Sequence, residues 1–396
     1  MEDSGKTEAR SSWTVCVPIC YSIILTGSKG FLKTLSTFTG DLSQLTAPSF
    51  ILSGTSLLEY SAYWAEHPNL FAQAAKESDE ERRALAVLKW FLATLKGQFA
   101  ARNETSGRMF SEKKPLNPVL GEIFHGSWAA HGDVGETVLL AEQVSHHPPI
   151  AAYKIQNKKA GVIYRGFNGQ KSGFTGRTIS VKQVGHGIYH LDQQKEDYLI
   201  TFPNLRLEGL LFMAPYVELS GSSYIVSSTG YVATIDYSGR GWLSGIKNSF
   251  TATLSKESGG LKGATLHTIS GVWTGSSKIR NEMTKKETPF WDSSTNAPRH
   301  LNVEPLLKQE RYNSRLLWEK VAKALAAGDF DLAGKEKSEI ENWQRNLRKE
   351  ERGRNEPWVQ RYFEWVELEP ISSKLSKFLP AKNSEESSFS NAWIPK

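Results

Sequence analysis

Cysteine is scarce: 2 residues in 396. That excludes a disulfide-built scaffold and a four-thiolate zinc module. Cys16 and Cys20, with Pro18 between them, read as ordinary thiols of a cytosolic protein. Long apolar runs are missing too. The longest, Val15 to Leu25, is interrupted by Pro18 and Ser22 and is too short to span a bilayer. It does not read as a signal-peptide core either, because Glu2, Asp3 and Glu8 are mixed with Lys6 and Arg10 and no small-x-small cleavage site follows. Residues 1–27 are therefore expected to be a poorly ordered N-terminal extension. No internal repeat recurs at a fixed period. The sequence contains no G-x-S-x-G elbow, H-E-x-x-H pair or P-loop. Gly239-Arg-Gly-Trp-Leu-Ser244 imitates a dinucleotide fingerprint, but it ends in Ser within a strand-rich context and reads as a hairpin connection. With no nucleophile–base or acid–base pair, neither an enzyme nor a metal or cofactor protein is expected.

What is present is apolar and aromatic: 39% hydrophobic residues, with 12 Trp, 13 Tyr and 18 Phe. This composition describes a globular chain rather than a disordered or fibrous one. Lys and Arg number 48 against 42 acidic residues, a net charge of +6 that favours anionic partners such as phosphates, nucleic acid or acidic membrane. Nucleic-acid binding would require aromatics interleaved with Lys and Arg on one module. Here the aromatics lie mainly in strand-like runs.

Periodicity divides the chain into three. Phe31, Leu32, Leu35 and Phe38 form an apolar stripe opposite Ser, Thr, Lys29 and Lys33, the pattern of a docking helix or of a helix lying on a membrane. Ser56-Leu-Leu-Glu59 and Ser78-Asp-Glu-Glu81 are capping boxes that open two helices within 54–100, the first stopping before Pro68. From 116 to 285, nine or more short β-branched and aromatic runs alternate with Gly, Asn and Ser turns. They predict an antiparallel meander closed as a barrel or packed as a sandwich. Helices return over 305–365, with Gly328 ending the first and a charged helix spanning Leu332–Arg352. The Ser-rich stretch 374–396 is expected to be a mobile polar tail.

Three basic or imidazole-bearing elements stand out. Glu142-Gln-Val-Ser-His-His-Pro-Pro149 ends a strand, and two prolines cannot donate ladder bonds, so pairing is expected to stop there or move to an edge. His146 and His147 would then sit at a rim, where a phosphate dianion would raise an imidazole's pKa and make it a cationic clamp. Glu112-Lys-Lys-Pro-Leu-Asn117 supplies point charges from Lys113 and Lys114 and an amide from Asn117. Lys337, Glu341 and Arg345, spaced i, i+4, i+8 and continued by Arg348 and Arg352, share one helix face, for which an ion-pair ladder is a sufficient account.

The sequence resembles the oxysterol-binding protein family. Glu142-Gln-Val-Ser-His-His-Pro-Pro149 matches the family fingerprint at every position. Glu112-Lys-Lys-Pro-Leu-Asn-Pro118, Tyr63-Trp-Ala-Glu-His-Pro68, Ser227-Ser-Thr-Gly230 and Asn248-Ser-Phe250 match as well, over about Gly27 to Phe363. The likeness is to short fungal members consisting of the ligand-binding domain alone. It implies a β-rich α+β fold: a large incomplete antiparallel β-barrel enclosing a lipid tunnel, with an N-terminal lid over 28–48, N-terminal helices and a C-terminal helical region, all within one domain, 28–373.

The resemblance further implies a lipid transfer protein that exchanges a sterol (ergosterol or cholesterol type) for phosphatidylinositol 4-phosphate between membranes. Lys113, Lys114, Asn117, His146, His147, Lys337, Glu341 and Arg345 would bind the headgroup. Phe31 and Leu35 of the lid would line the sterol tunnel with Trp64, Gln98, Phe99, Asn168 and Gln183. Phe99 departs from the Tyr of sterol-binding short members, which favours weighing another lipid, such as phosphatidylserine. A lipid-responsive sensor is the other alternative. The expected setting is a cytoplasmic monomer touching endoplasmic-reticulum and Golgi-type membranes peripherally and transiently, without nucleic acid.

Overall fold

The computed structural model describes residues 49–100, 114–174, 178–208, 216–240, 245–257, 263–380 and 389–396. The extension 1–27, the lid 28–48 with Phe31 and Leu35, and Lys113 lie outside the described residues.

Ser56 opens the helical region as its motif predicts. Its hydroxyl accepts from Leu58 N, and Glu59 accepts from Ser56 N, but the turns that follow, Leu57–Ala65, are a 3-10 helix. Pro68 then begins a short helix of its own, α1 (Pro68–Phe71), as proline at a first helical position can. The second start lies one residue later than its motif suggests: Asp79, not Ser78, accepts from Arg82 N at 2.9 Å and caps α2 (Glu80–Phe99).

β1 (Leu52–Ser56) and β2 (Lys114–Leu116) pair in parallel as a small separate sheet. The large sheet holds β3 (Ile123–Trp128), β4 (Thr137–His146), β5 (Pro149–Asn157), β6 (Val162–Phe174), β7 (Ile179–Leu191), β8 (Glu196–Ile200) and β9 (Asn204–Glu208). It continues through β10 (Tyr216–Ser227), β11 (Tyr231–Ser238), β12 (Ser249–Lys256), β13 (Thr265–Val272), β14 (Ser276–Asn281) and β15 (Glu287–Asp292). Neighbours are antiparallel and nearly all sequential, the meander that short turns between β-branched runs dictate; β9 alone leaves the path, bridging β7 and β10. Among the described residues the outer strands β3 and β15 do not pair with each other, so the barrel is incomplete. The open side of β3 is covered instead by backbone bonds between Ser127 and Asn302, which spares it an unpaired edge.

Helix α2 closes the interior. Trp90, Phe91, Leu88 and Leu95 are buried on it against inward-facing Tyr153, Tyr164, Tyr189 and Tyr198. Tyr189 settles its hydroxyl by donating to Phe71 O at 2.6 Å, and Arg83 on the same helix pairs with buried Glu196 at 2.6 Å.

The expected single helix before Gly328 is two, α3 (Ser314–Leu317) and α4 (Glu319–Ala326), broken at Trp318. The break aims the Trp318 indole at Glu122, which it reaches at 2.9 Å. Fully buried Glu122 also accepts from Ser56, Ser314 and Val119 N, tying the N-terminal turns, the sheet edge and the C-terminal helices to one carboxyl group. Gly328, with φ +76°, follows α4 as the expected stop, and α5 (Phe330–Arg354) is the long charged helix.

Beyond it the structure differs from the expected mobile tail. After β16 (Phe363–Val366) come α6 (Pro370–Leu375) and β17 (Ala392–Pro395), and β17 pairs with β16. Phe389, Ala392, Leu375 and Leu379 are buried against the outer face of the sheet. A few apolar residues are enough to dock the described parts of this stretch, 374–380 and 389–396.

Candidate functional site

Trp64 sits at the centre of the interior. Its ring packs on Tyr164 (5.1 Å between centroids), Phe202 (5.5 Å), Trp90 (6.0 Å), Tyr153 (6.1 Å) and Phe91 (6.2 Å). Trp90 fixes it by donating Nε1–H to Trp64 O at 2.8 Å. This aromatic cluster borders a cavity with an empty volume of about 1140 Å³, counted out to solvent at its mouth. All five described residues expected in a sterol tunnel, Trp64, Gln98, Phe99, Asn168 and Gln183, line that cavity, although they come from the 3-10 turns, α2, β6 and β7. Gln98 is braced by Thr94 Oγ1 at 3.2 Å. Gln183 Oε1 and Asn117 Oδ1 are buried acceptors without a donor among the described residues. Such groups within an apolar wall fix the orientation of a hydroxyl-bearing ligand.

Lys114, Pro115, Leu116, Asn117 and Pro118 also line the cavity, so the basic segment lies beside the tunnel residues. The histidine motif meets it there. Where pairing was expected to stop or move to an edge, β4 and β5 instead stay paired, across a bulge between Gln143 and Ser145, to His146 opposite Pro149, with His147 and cis-Pro148 as the two turn residues. Proline is tolerated as the first residue of a strand, which is where Pro149 falls. The tight turn brings the rings together, 4.6 Å apart and edge-to-face. His146 Nδ1 lies 3.2 Å from Pro118 O. Burial, reinforced by neighbouring His147, lowers the His146 pKa to about 4, while Glu341 and the Pro118 bond pull it up and Arg348 pushes it down. The imidazole is therefore neutral at pH 7 in the unliganded protein.

Helix α5 supplies the third element. Lys337 and Glu341 form an ion pair, with Lys337 the more buried partner. Glu341 is also 3.7 Å from Arg345. Arg345 is the most exposed of the three α5 residues expected at the headgroup: its side chain is 66% exposed, against 18% for Lys337 and 37% for Glu341, and donates to Asn342 Oδ1 at 2.6 Å. Arg348, three residues on, is more enclosed and faces His146 electrostatically. Sequence reasoning placed Arg348 only in an ion-pair ladder, because helical spacing does not say which rung turns toward the barrel.

Glu142 was legible only as the first letter of the fingerprint. In the structure its carboxylate accepts from Arg361 N at 2.8 Å and Tyr362 N at 2.9 Å, and Gln360 donates to Val144 O at 2.9 Å. The strand that carries the histidines thus holds the segment after α5. Among the described residues no three His, Cys, Asp or Glu side chains converge as metal ligands, and no helix is long and apolar enough to cross a membrane.

Comparison with known proteins agrees with this architecture. Residues 30–324 match the family model described as "Oxysterol-binding protein". "Protein kes1" of Schizosaccharomyces pombe is 50% identical over 353 residues, 88% of this chain and 89% of its own. "Protein KES1" of Mycosarcoma maydis is 47% identical over 365 residues, covering 91% and 93%. Among solved structures, the Osh1 ORD domain in complex with ergosterol superposes with a TM-score of 0.70 over 97% of this chain and 94% of that one, at 21% identity. The Osh3 ORD of Saccharomyces cerevisiae in complex with PI(4)P superposes with a TM-score of 0.65 over 96% and 97%, also at 21% identity.

Proposed function

The chain belongs to the oxysterol-binding protein family, and from that premise we propose that it carries lipids, holding a sterol or phosphatidylinositol 4-phosphate in one tunnel and exchanging them between membranes. The observation that carries this reading is the meeting of the two candidate sites. Pro118, whose carbonyl is 3.2 Å from His146 Nδ1, belongs to the wall of the cavity that Trp64, Gln98 and Gln183 also line. A lipid with its chains in that cavity would present its headgroup to Lys114, Asn117, the two histidines and the Lys337–Glu341 pair. A sterol filling the same space would exclude it. Two ligands competing for one site are thermodynamically coupled, so a gradient of one drives the other without any covalent step. The likeness to a sterol-bound and a phosphoinositide-bound fold supports both ligands. In this reading the protein is no enzyme and works as a cytoplasmic monomer, touching endoplasmic-reticulum and Golgi-type membranes only during exchange.

The test is transfer of labelled sterol between liposomes, with and without phosphatidylinositol 4-phosphate in the acceptor. Acceleration by the phosphoinositide is expected, and no transfer together with no phosphoinositide extraction would sink the reading. His146→Ala combined with His147→Ala should abolish phosphoinositide extraction and spare sterol binding.

A further inference from the structure

Helix α2 buries two polar side chains among its apolar ones, Arg83 and Thr94. Arg83 is accounted for by its pairing with Glu196. Thr94 is fully buried, and its hydroxyl joins two hydrogen bonds in series. Oγ1 donates to Phe91 O at 2.8 Å, and Gln98 Nε2 donates to Thr94 Oγ1 at 3.2 Å. The first bond is common for a threonine inside a helix. The second is not something a helix needs.

The series runs in one direction only. A backbone carbonyl can only accept, so the hydroxyl proton goes to Phe91 and the hydroxyl oxygen is left to accept. The Gln98 amide must then turn its nitrogen toward Thr94. Turned over, it would set Oε1 against Oγ1, two acceptors with no proton between them. Through Thr94, the Phe91 carbonyl thus fixes which end of the Gln98 amide stands where. Thr94 lies behind the cavity wall, whereas Gln98 is part of it. Gln183 belongs to the same wall, and its Oε1 is buried without a donor among the described residues. An amide held in one orientation and a second amide oxygen lacking a donor make a wall that is satisfied by a donating ligand. A hydroxyl brings a proton. A ketone brings only lone pairs and leaves a buried acceptor unmet, which is the costly case.

We infer that Thr94 is a positioning residue that acts through Gln98 to make the cavity select a sterol with a ring hydroxyl over the same sterol with a ring ketone. This role rests on the sterol half of the proposed function and belongs to a side chain outside the cavity wall.

The experiment measures equilibrium binding of cholestanol and of cholestan-3-one, which differ only at the ring oxygen, to one preparation of each protein. The ratio of the two affinities is then independent of how much of the sample is folded. Wild type should prefer the alcohol by about tenfold or more, as an unmet buried acceptor implies. T94V keeps the shape and removes the hydroxyl, so the amide is able to turn over, and the ratio should fall to about threefold or less. T94S keeps the hydroxyl and should hold the ratio near the wild-type value. If T94V does not unfold cooperatively, T94A gives the same readout. A wild-type ratio near one overturns the inference and leaves sterol carriage standing. An equal loss of both ligands in T94V, with the ratio unchanged, marks a merely structural threonine and overturns it as well. Wild-type protein that binds neither compound rejects the sterol reading and the inference together.

Discussion

His146 Nδ1 lies 3.2 Å from the carbonyl of Pro118, joining the turn between two strands to the segment that walls the cavity. Through this contact the histidine pair and the basic segment become one rim, and the rim's protonation becomes part of binding.

His146, with a pKa of about 4, is neutral near pH 7. A dianion beside it favours the imidazolium, so the pKa rises in the complex and binding takes up a proton. Affinity for phosphatidylinositol 4-phosphate should therefore increase as pH falls from 8 to 6. Calorimetry in buffers of different ionisation enthalpy should show net proton uptake in the wild type and less in His146→Gln.

Phe99 lines the cavity and packs against the aromatic core without a hydroxyl. Phe99→Tyr supplies one, and a single added hydrogen bond to a sterol hydroxyl, direct or through water, is worth about 1 kcal/mol, roughly fivefold in affinity. Titration with a fluorescent sterol should show that gain, with phosphoinositide extraction unchanged.

Glu142 accepts two backbone N–H groups from Arg361 and Tyr362. Glu142→Gln keeps the shape but offers one acceptor, leaving a donor unmet at a cost of about 1–3 kcal/mol. Urea unfolding should show that loss, and limited proteolysis should find the segment after α5 cut sooner.

His186 is buried against Phe167 and Phe389, with its Nε2 unpaired, and burial lowers its pKa from 6.5 to about 4. The unfolded chain takes a proton that the native one refuses. Stability from this group is therefore full above pH 6.5 and is lost as pH falls toward 4, on the order of 3 kcal/mol. His67, also lowered to about 4, acts in the same direction. Thermal unfolding of His186→Leu between pH 7 and 4 should show a shallower decline than the wild type.

The architecture was readable because its signals are local. β-branched and aromatic runs bounded by turn residues marked the strands, of which Val162–Phe174 and Ile179–Leu191 form the longest pair, and the Ser56 motif marked its cap. The cavity wall was readable only through family likeness: nothing in the spacing of Trp64, Gln98 and Gln183 reveals that α2, β6 and β7 bring them together. Contacts that depend on tertiary placement stayed hidden. Glu122 gathers donors nearly 200 positions away, Arg348 turns inward where Arg345 does not, and Trp393 docks beside Trp365 although its surroundings read as a polar tail.

The most direct measurement of the central claim is native mass spectrometry of the protein loaded with sterol and titrated with vesicles containing phosphatidylinositol 4-phosphate. One shared tunnel predicts one-for-one replacement, each protein carrying one lipid or the other. A species holding both lipids at once would contradict it.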